Sequence, residues 1–559
     1  MSGDDAIVAA LAAHDDLLAR RGVDVWVGAE PTFTRADSLE PAWLASAEGD
    51  DKLARAHALA TALADRLPGA AVSRVIGRRF PDEPQPRFAF GVRWGEATAA
   101  ARVALDAPAE PPPTELAGDR WLTVTPDPGV VEVNMAPEAN ARAFFAQAHV
   151  VWDAARAAGL SPLRYRWNGD VADSGGGGQL TLGGPRPQAS PFVRYPDLLP
   201  ALVRYLNNHP ALSYWFASEC VGSASQGPRP DEGVRERWDE LGLALDWLDR
   251  LADRGALPPD VLQRALAPLL VDASGNSHRA ELNVEKLWND RLAAHGTRHG
   301  RMGIVELRAV RMAERPAMLA ALAALLRAIV VRLAVSPYRA ALVDWHDELH
   351  DRFALPSALA RDLRLVLGDL DEHGLGLPAQ LRRELEAWRP PGIACRLGDA
   401  TLELRAGLEF WPLVGDTASQ ERAGARRVDA STARIELAID GAGPDRVVID
   451  GHWAKLRSLG DAARAIGVRR RIYPPDEGLH PELPARDPLV VEWAWAGRSQ
   501  RVELWAWRPD GGPYPALPRD DADALARRQE RIRIATAPGD VTASGFWPET
   551  RPFTIDLRR

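Results

Sequence analysis

The chain has 559 residues, room for three or four domains at about 150 residues each, or for two with one large. With 46% hydrophobic and 26% charged residues, and with 46 glycines and 45 prolines, its usage is that of a globular protein, so wholesale disorder is excluded. Basic residues number 68 against 77 acidic ones, and the net charge of −9 leaves no global basic field to draw the protein onto nucleic acid or an anionic membrane.

Residues 4–21 and 50–66 carry apolar residues at helical spacing, and the N-terminal stretch lacks the basic and apolar regions of a signal peptide, so export is not expected. Between the two helices, VDVWVGAEPTF reads as a strand over Val23 to Val27 running into a loop at Pro31, with the carboxylate of Glu30 at the junction. Residues 86–105 predict one or two strands, and 107–118 (APAEPPPTELAG) a proline-rich connector. In WLTVTPDPGVVEVNMAP two β-branched runs flank the turn at Asp127-Pro128-Gly129, with Glu132 and Asn134 alternating against Val131 and Val133. A helix over 139–159 follows. Next come a strand, the glycine run Gly175 to Gly178 and a second strand.

Helical spacing resumes over 196–218, 235–254, 317–335, 340–353, 357–373 and 378–388. The apolar run 317–335 is interrupted by Arg327 and Arg332, costly at membrane depth, so a buried helix of a soluble protein is expected rather than a span. VDASGNSHRAELNVEKLW and RMGIVELRAVRM lie between these blocks, the second alternating around Glu306 and Arg308. Beyond Pro390-Pro391 short alternating runs predict a β-rich region, which divides the chain into residues 1–391 and 392–559 and gives an α+β class.

The two cysteines, Cys220 and Cys395, are far apart and form no CxxC, which supports neither a disulfide framework nor structural zinc and points to a reducing, cytoplasmic setting. Lysine occurs only at Lys52, Lys286 and Lys455, a pattern read here as codon usage rather than chemistry. In Glu132-Val133-Asn134, Arg279-Ala280-Glu281 and Glu306-Leu307-Arg308, polar residues two apart on apolar strands aim at one face. Each pair alone fits a solvated strand face. Together with the glycine run they suit an anionic phosphate substrate, with carboxylates on divalent ions and arginines on phosphoryl oxygens.

The glycine run could offer backbone N–H groups to phosphate, but it lacks a P-loop ending, and taken alone it is better explained as a flexible surface loop. His346-Asp347-Glu348-Leu349-His350 has the spacing of a zinc-protease helix, but Asp follows the first histidine and no third ligand is signalled; a charged helix surface is the plainer reading. Arg229, Asp231 and Glu232 suit a substrate pocket or a solvated loop equally.

The segments VGAEPTFT, TVTPDPGVVEVNMAP, SGGGGQLTLGG, PLLVDASGNSHRAELNVEKLW, GRMGIVELRAVRM and RRVDASTARIELAI, among others spread over nearly the whole chain, resemble the bacterial amidoligases of the glutamine synthetase-like carboxylate–amine ligase superfamily. The resemblance implies a twisted antiparallel sheet with helices packed behind it. It also implies ATP and Mg²⁺ (or Mn²⁺) as cofactors and activation of a peptide or amino-acid carboxylate, as an acyl phosphate, for attack by an amine. Carried over by position, it implies metal binding by Glu30, Glu132 and Glu306 with Glu281 auxiliary, and phosphate contacts from Arg279 and Arg308. Cofactor contacts fall to Gly176, Gly177, Gln179 and Arg79, where the family has a histidine at the end of the glycine run and a lysine near Arg79. The alternative reading is a catalytically impaired ligase-like protein that binds nucleotide or peptide beside another enzyme. Because the family often stands behind a transglutaminase-like domain, such a peptide-modifying neighbour is the expected protein partner, with neither nucleic acid nor membrane.

Overall fold

The computed structural model describes residues 3–36, 50–78, 87–95, 119–127, 129–255, 257–291, 300–414, 428–460, 462–473, 479–512 and 514–559. The connector 107–118 and Arg79 lie outside the described residues. In chain order the first strands are β1 (Trp26–Phe33), β2 (Ala71–Arg78), β3 (Arg87–Gly95), β4 (Asp119–Asp127), β5 (Val130–Asn134), β6 (Leu163–Tyr165), β7 (Val171–Asp173), β8 (Gly178–Gly183), β9 (Cys220–Val221), β10 (Leu282–Asn283) and β11 (Val305–Leu307). Eight of them form one sheet in the order β10-β11-β8-β1-β5-β4-β3-β2. Every neighbouring pair in it is antiparallel.

Alternation along these strands gives the sheet two unlike faces. Val27, Ala29 and Phe33 of β1, Val131 and Val133 of β5, Leu122 and Val124 of β4, and Leu180 and Leu182 of β8 point one way and are buried. Against them pack the helices Asp50–Ala64, Ala141–Ala157 and Pro316–Val335, with Gly3–Ala19 packed on the outer side of Ala141–Ala157 and Pro316–Val335. The last is the one helix among the described residues long and apolar enough to cross a membrane, and it is 89% buried inside the fold.

The arginines of that helix tie it to its surroundings. Arg327 donates to Val25 O (2.9 Å) and Ala139 O (3.1 Å) and pairs with Asp15. Asp15 also accepts from the N–H groups of Ala141 and Arg142 (both 2.9 Å), satisfying the start of a neighbouring helix. Arg332 grips Asp369 through two bonds of 2.9 and 3.1 Å.

Three segments differ from their sequence pattern. The first strand begins at Trp26 rather than Val23 and runs through Pro31 to Phe33 instead of passing into a loop, because Trp26 to Pro31 pair with β8 and Thr32 and Phe33 with β5. Residues 340–353 form no α-helix, only single turns at His346–Glu348 and Arg352–Ala354. Asn207 and Asn208 take the backbone there, through Val343 N (2.8 Å) and Ala341 O (3.1 Å), and His346 sits at φ 43°. Arg279 is not on a strand either. The Asp272 carboxylate accepts from Ser274 N and Asn276 N (2.8 and 2.9 Å), winding the chain into turns so that the strand begins only at Leu282.

Past the helix Ala379–Glu386 the chain is mostly β. One sheet takes strands from within 393–406, 432–440, 457–471 and 554–556, and a second from within 446–455, 489–504 and 532–538. Cys395, Leu402, Leu437, Ile466, Val491 and Trp493 belong to a core of their own there. Glu409–Phe410 reaches back to pair in parallel with β9.

Replacing Arg327 by Met strands Asp15 among buried groups, so Arg327→Met should lower unfolding free energy by about 3–5 kcal/mol. The urea midpoint measures this.

Candidate functional site

The second face of the sheet is polar because its strands alternate. Glu30 of β1 stands directly opposite Gln179 of β8, and Glu132 of β5 opposite Thr32. Glu306 of β11 faces Thr181 of β8 on one side and Asn283 of β10 on the other. These positions share one side of the pleat, so three glutamates far apart in the chain lie on one polar face, Glu306 and Glu132 on either side of Glu30 and Gln179.

Their surroundings hold them in different states. Glu306 pairs with Arg308, and Lys286 Nζ stands 3.7 Å from its other oxygen. Glu132 accepts from Asn134 Nδ2 at 2.8 Å. Burial pushes its carboxyl up to about 8, helped by the like charges of Glu30 and Asp127. Burial and then Glu306 raise Glu30 above the usual carboxylate range, against the pull of Lys286 and Arg308. Lys286 is itself raised: burial opposes its charge, but Glu306 and Glu30 outweigh it. Gln179 Oε1 is buried without a hydrogen-bond partner.

Crowded carboxylates and an orphaned amide oxygen are hard, oxygen-only donors, the set that suits Mg²⁺ or Mn²⁺ rather than zinc. Among the described residues no three His, Cys, Asp or Glu side chains are grouped closely enough to hold an ion by themselves. That is compatible with Mg²⁺, which keeps waters and shares its ligands with substrate phosphates. The face therefore fits such ions, with Glu30 and Gln179 in the middle, Glu306 on one side and Glu132 on the other as the residues to hold them.

Beside this face lies a cavity of about 160 Å³. Arg164, Arg166, Arg279, Arg308 and Arg311 line it against the carboxylates of Asp173 and Glu219. Glu219 is committed to Arg166 at 2.7 Å. Behind the wall, Arg389 donates to Tyr214 O (2.8 Å) and Ala217 O (2.7 Å) and has no ion pair among the described residues. Burial, and then Arg311, lower its guanidinium to about 9. The cavity is therefore built to receive negative charge.

The glycine run makes this crossing of chains possible. Gly178 N donates to Val310 O at 2.9 Å, and a Cβ on Gly178 would lie 2.7 Å from Arg311 O. A Cβ on Gly176 would meet Thr32 and Val130 at 2.9 Å. Gly175 and Gly177 border the cavity, at φ 89° and 90°, whereas Gly176 is wedged against β1 and β5.

Glu281 does not join the other glutamates. It pairs with Arg229 at 3.3 Å and with Ser213, and burial pushes it up to about 7. Arg229, Asp231 and Glu232 are neither a substrate pocket nor solvated loop charges; Arg229 is 2% exposed and binds Asp231 at 2.8 Å. Glu232 accepts from Tyr214 and lies 2.8 Å from His350 Nε2. His346 is exposed and sits by Asp344 at 3.1 Å, so the two histidines share no helix face. Cys220 borders the cavity, its thiol pushed up to about 12 by burial, while Cys395 is buried in the C-terminal core. The sequence pattern missed Lys286, Arg311 and Arg389. For Lys286 the scarcity of lysine was the available signal.

The fold and this face define an α+β protein that presents buried carboxylates beside an arginine-lined cavity. Residues 5–102 and 96–558 match the family described as "Putative amidoligase enzyme (DUF2126)", and the chain belongs to that family. A solved structure described as a novel glutamine synthase homolog is 16% identical over 68% of this chain and 70% of that one, with a TM-score of 0.28. No curated protein matches the chain.

For Glu132 the folded pKa, about 8, lies above the ordinary 4.5, so the folded state binds the extra proton between these values. Its contribution to stability therefore falls as pH rises through that window. Thermal midpoints of metal-free Glu132→Gln should decline less from pH 5 to 8 than those of the parent.

Proposed function

We propose that the protein is a ligase that joins a carboxylate to an amine at the expense of ATP. The observation that carries this reading is the adjacency of two complementary surfaces. A carboxylate face fit for Mg²⁺ adjoins a cavity whose guanidinium groups suit phosphoryl and carboxylate oxygens.

In the proposed reaction a carboxylate oxygen of the donor attacks the γ-phosphorus of ATP, the bond to the bridging oxygen breaks, and ADP leaves. The amine nitrogen then attacks the acyl carbon, loses a proton, and expels phosphate. Mg²⁺, when held at Glu30 with Gln179 and either Glu306 or Glu132, would supply charge neutralisation for the polyphosphate.

Arg308 and Arg279 have the residue types to stabilise the charge that builds on phosphoryl oxygens, Arg308 held in place by its bond to Glu306. The arginine-lined cavity orients the donor, and its partly apolar wall of Val221, Ala309 and Trp411 limits water there. The carboxylate of a peptide or amino-acid donor is in keeping with a cavity of this size.

Phosphate release in the presence of ATP, Mg²⁺ and candidate carboxylates and amines tests this. Arg308→Ala should lower turnover about a hundredfold or more while its circular dichroism stays that of the parent. Full activity in that variant would remove Arg308 from the chemistry, and saturable nucleotide binding with no turnover in the parent would replace the ligase by a binding-only protein.

A further inference from the structure

Lys286 has no part in the reaction as written, yet its ammonium stands beside Glu306 on the carboxylate face. Its ammonium lies 3.7 Å from Glu306 Oε2, and Arg308 takes Glu306 Oε1. Both oxygens of one prospective metal ligand are therefore covered by nitrogen cations. Glu30 and Glu132 add to the field that holds the ammonium, and Arg308 repels it.

The two cations are not equally free to move. Arg308 is a planar fork, and its side chain is 13% exposed. Lys286 is a point charge on a flexible stem, 36% exposed, and can swing to the rim once another cation takes its place at Glu306. A divalent ion entering at Glu30 and the orphaned Gln179 Oε1 gains Glu306 only by displacing that ammonium. The displaced charge then stands beside the rim of the same face, where an anion would meet it.

We propose that Lys286 is an internal counter-cation that closes the carboxylate face until a divalent ion and a polyphosphate arrive, the ion taking Glu306 and the ammonium passing to the phosphate. The identity of the anion as a polyphosphate rests on the ligase reading; the competition for Glu306 rests on geometry alone. The two ligands must then bind with positive coupling.

The test uses the full chain and two separate binding measurements. Mn²⁺ binding is followed by electron paramagnetic resonance of the free ion without nucleotide, and tripolyphosphate binding by calorimetry in EDTA. Lys286→Gln should bind Mn²⁺ about tenfold more tightly than the parent and tripolyphosphate about tenfold more weakly, because the lost charge acts with opposite sign on the two. Lys286→Arg, which keeps the charge, should stay near the parent in both.

A lysine that served only the fold would move both affinities in the same direction, and that result overturns the proposal. So does unchanged or weaker Mn²⁺ binding in Lys286→Gln, or unchanged tripolyphosphate binding. Opposite shifts without any ATP turnover in the parent would instead sink the ligase reading and leave the counter-cation standing. Turnover in the parent with no opposite shifts does the reverse.

Discussion

Everything at the candidate site depends on one electrostatic constraint, the concentration of glutamate side chains on a single face of an antiparallel sheet where, among the described residues, Arg308 and Lys286 offset them. Burial weakens water's ability to screen these charges, so Glu30 and Glu132 hold their protons more tightly than ordinary carboxylates. Such a face is poised for a cation. Its opposite side is as dry as a core can be, since alternate residues of the same strands pack against the helix Pro316–Val335 and its neighbours.

The cavity exists because three backbones come unusually close. Segment 308–312 leaves β11 and passes over the glycine run, with Gly178 N bonded to Val310 O and Arg311 N bonded to Phe216 O at 2.8 Å. On its far wall, Glu409 N donates to Glu219 O at 2.9 Å, which brings the C-terminal region to the edge of the site. Phe410 is stacked on His350 at 4.6 Å and covered by Arg469 at 4.5 Å. His350 in turn meets Glu232, so the buried network of Arg229, Glu232 and Glu281 braces the cavity from behind.

Much of the fold was legible because periodicity reports which side of an element is dry. The helices over 141–157, 235–253, 316–335 and 356–372 and the hairpin around Asp127 follow from spacing and turn residues. Residues 340–353 have helical spacing too, yet the side-chain amides of Asn207 and Asn208 compete successfully for that backbone. Arg279 and Glu281 fail in the same way: a local Asx turn at Asp272 ends the alternation before Leu282. Glu281, two residues from Arg279, then finds Arg229 instead of the other glutamates.

By itself the sequence determined the alternation that puts Glu132 and Glu306 on polar faces of their own strands, because side-chain direction in a strand is a local property with a period of two; Glu30, read at a strand–loop junction, joins them because β1 runs on through Pro31 to Phe33. It also determined the apolar helix and the change to β structure after residue 392. Only the tertiary structure decided that β1, β5 and β11 share one sheet, that Lys286 stands beside Glu306, and that Arg311 and Arg389 lie together beside the cavity. Those are relations between segments brought together by burial of the opposite faces, and no local pattern carries them.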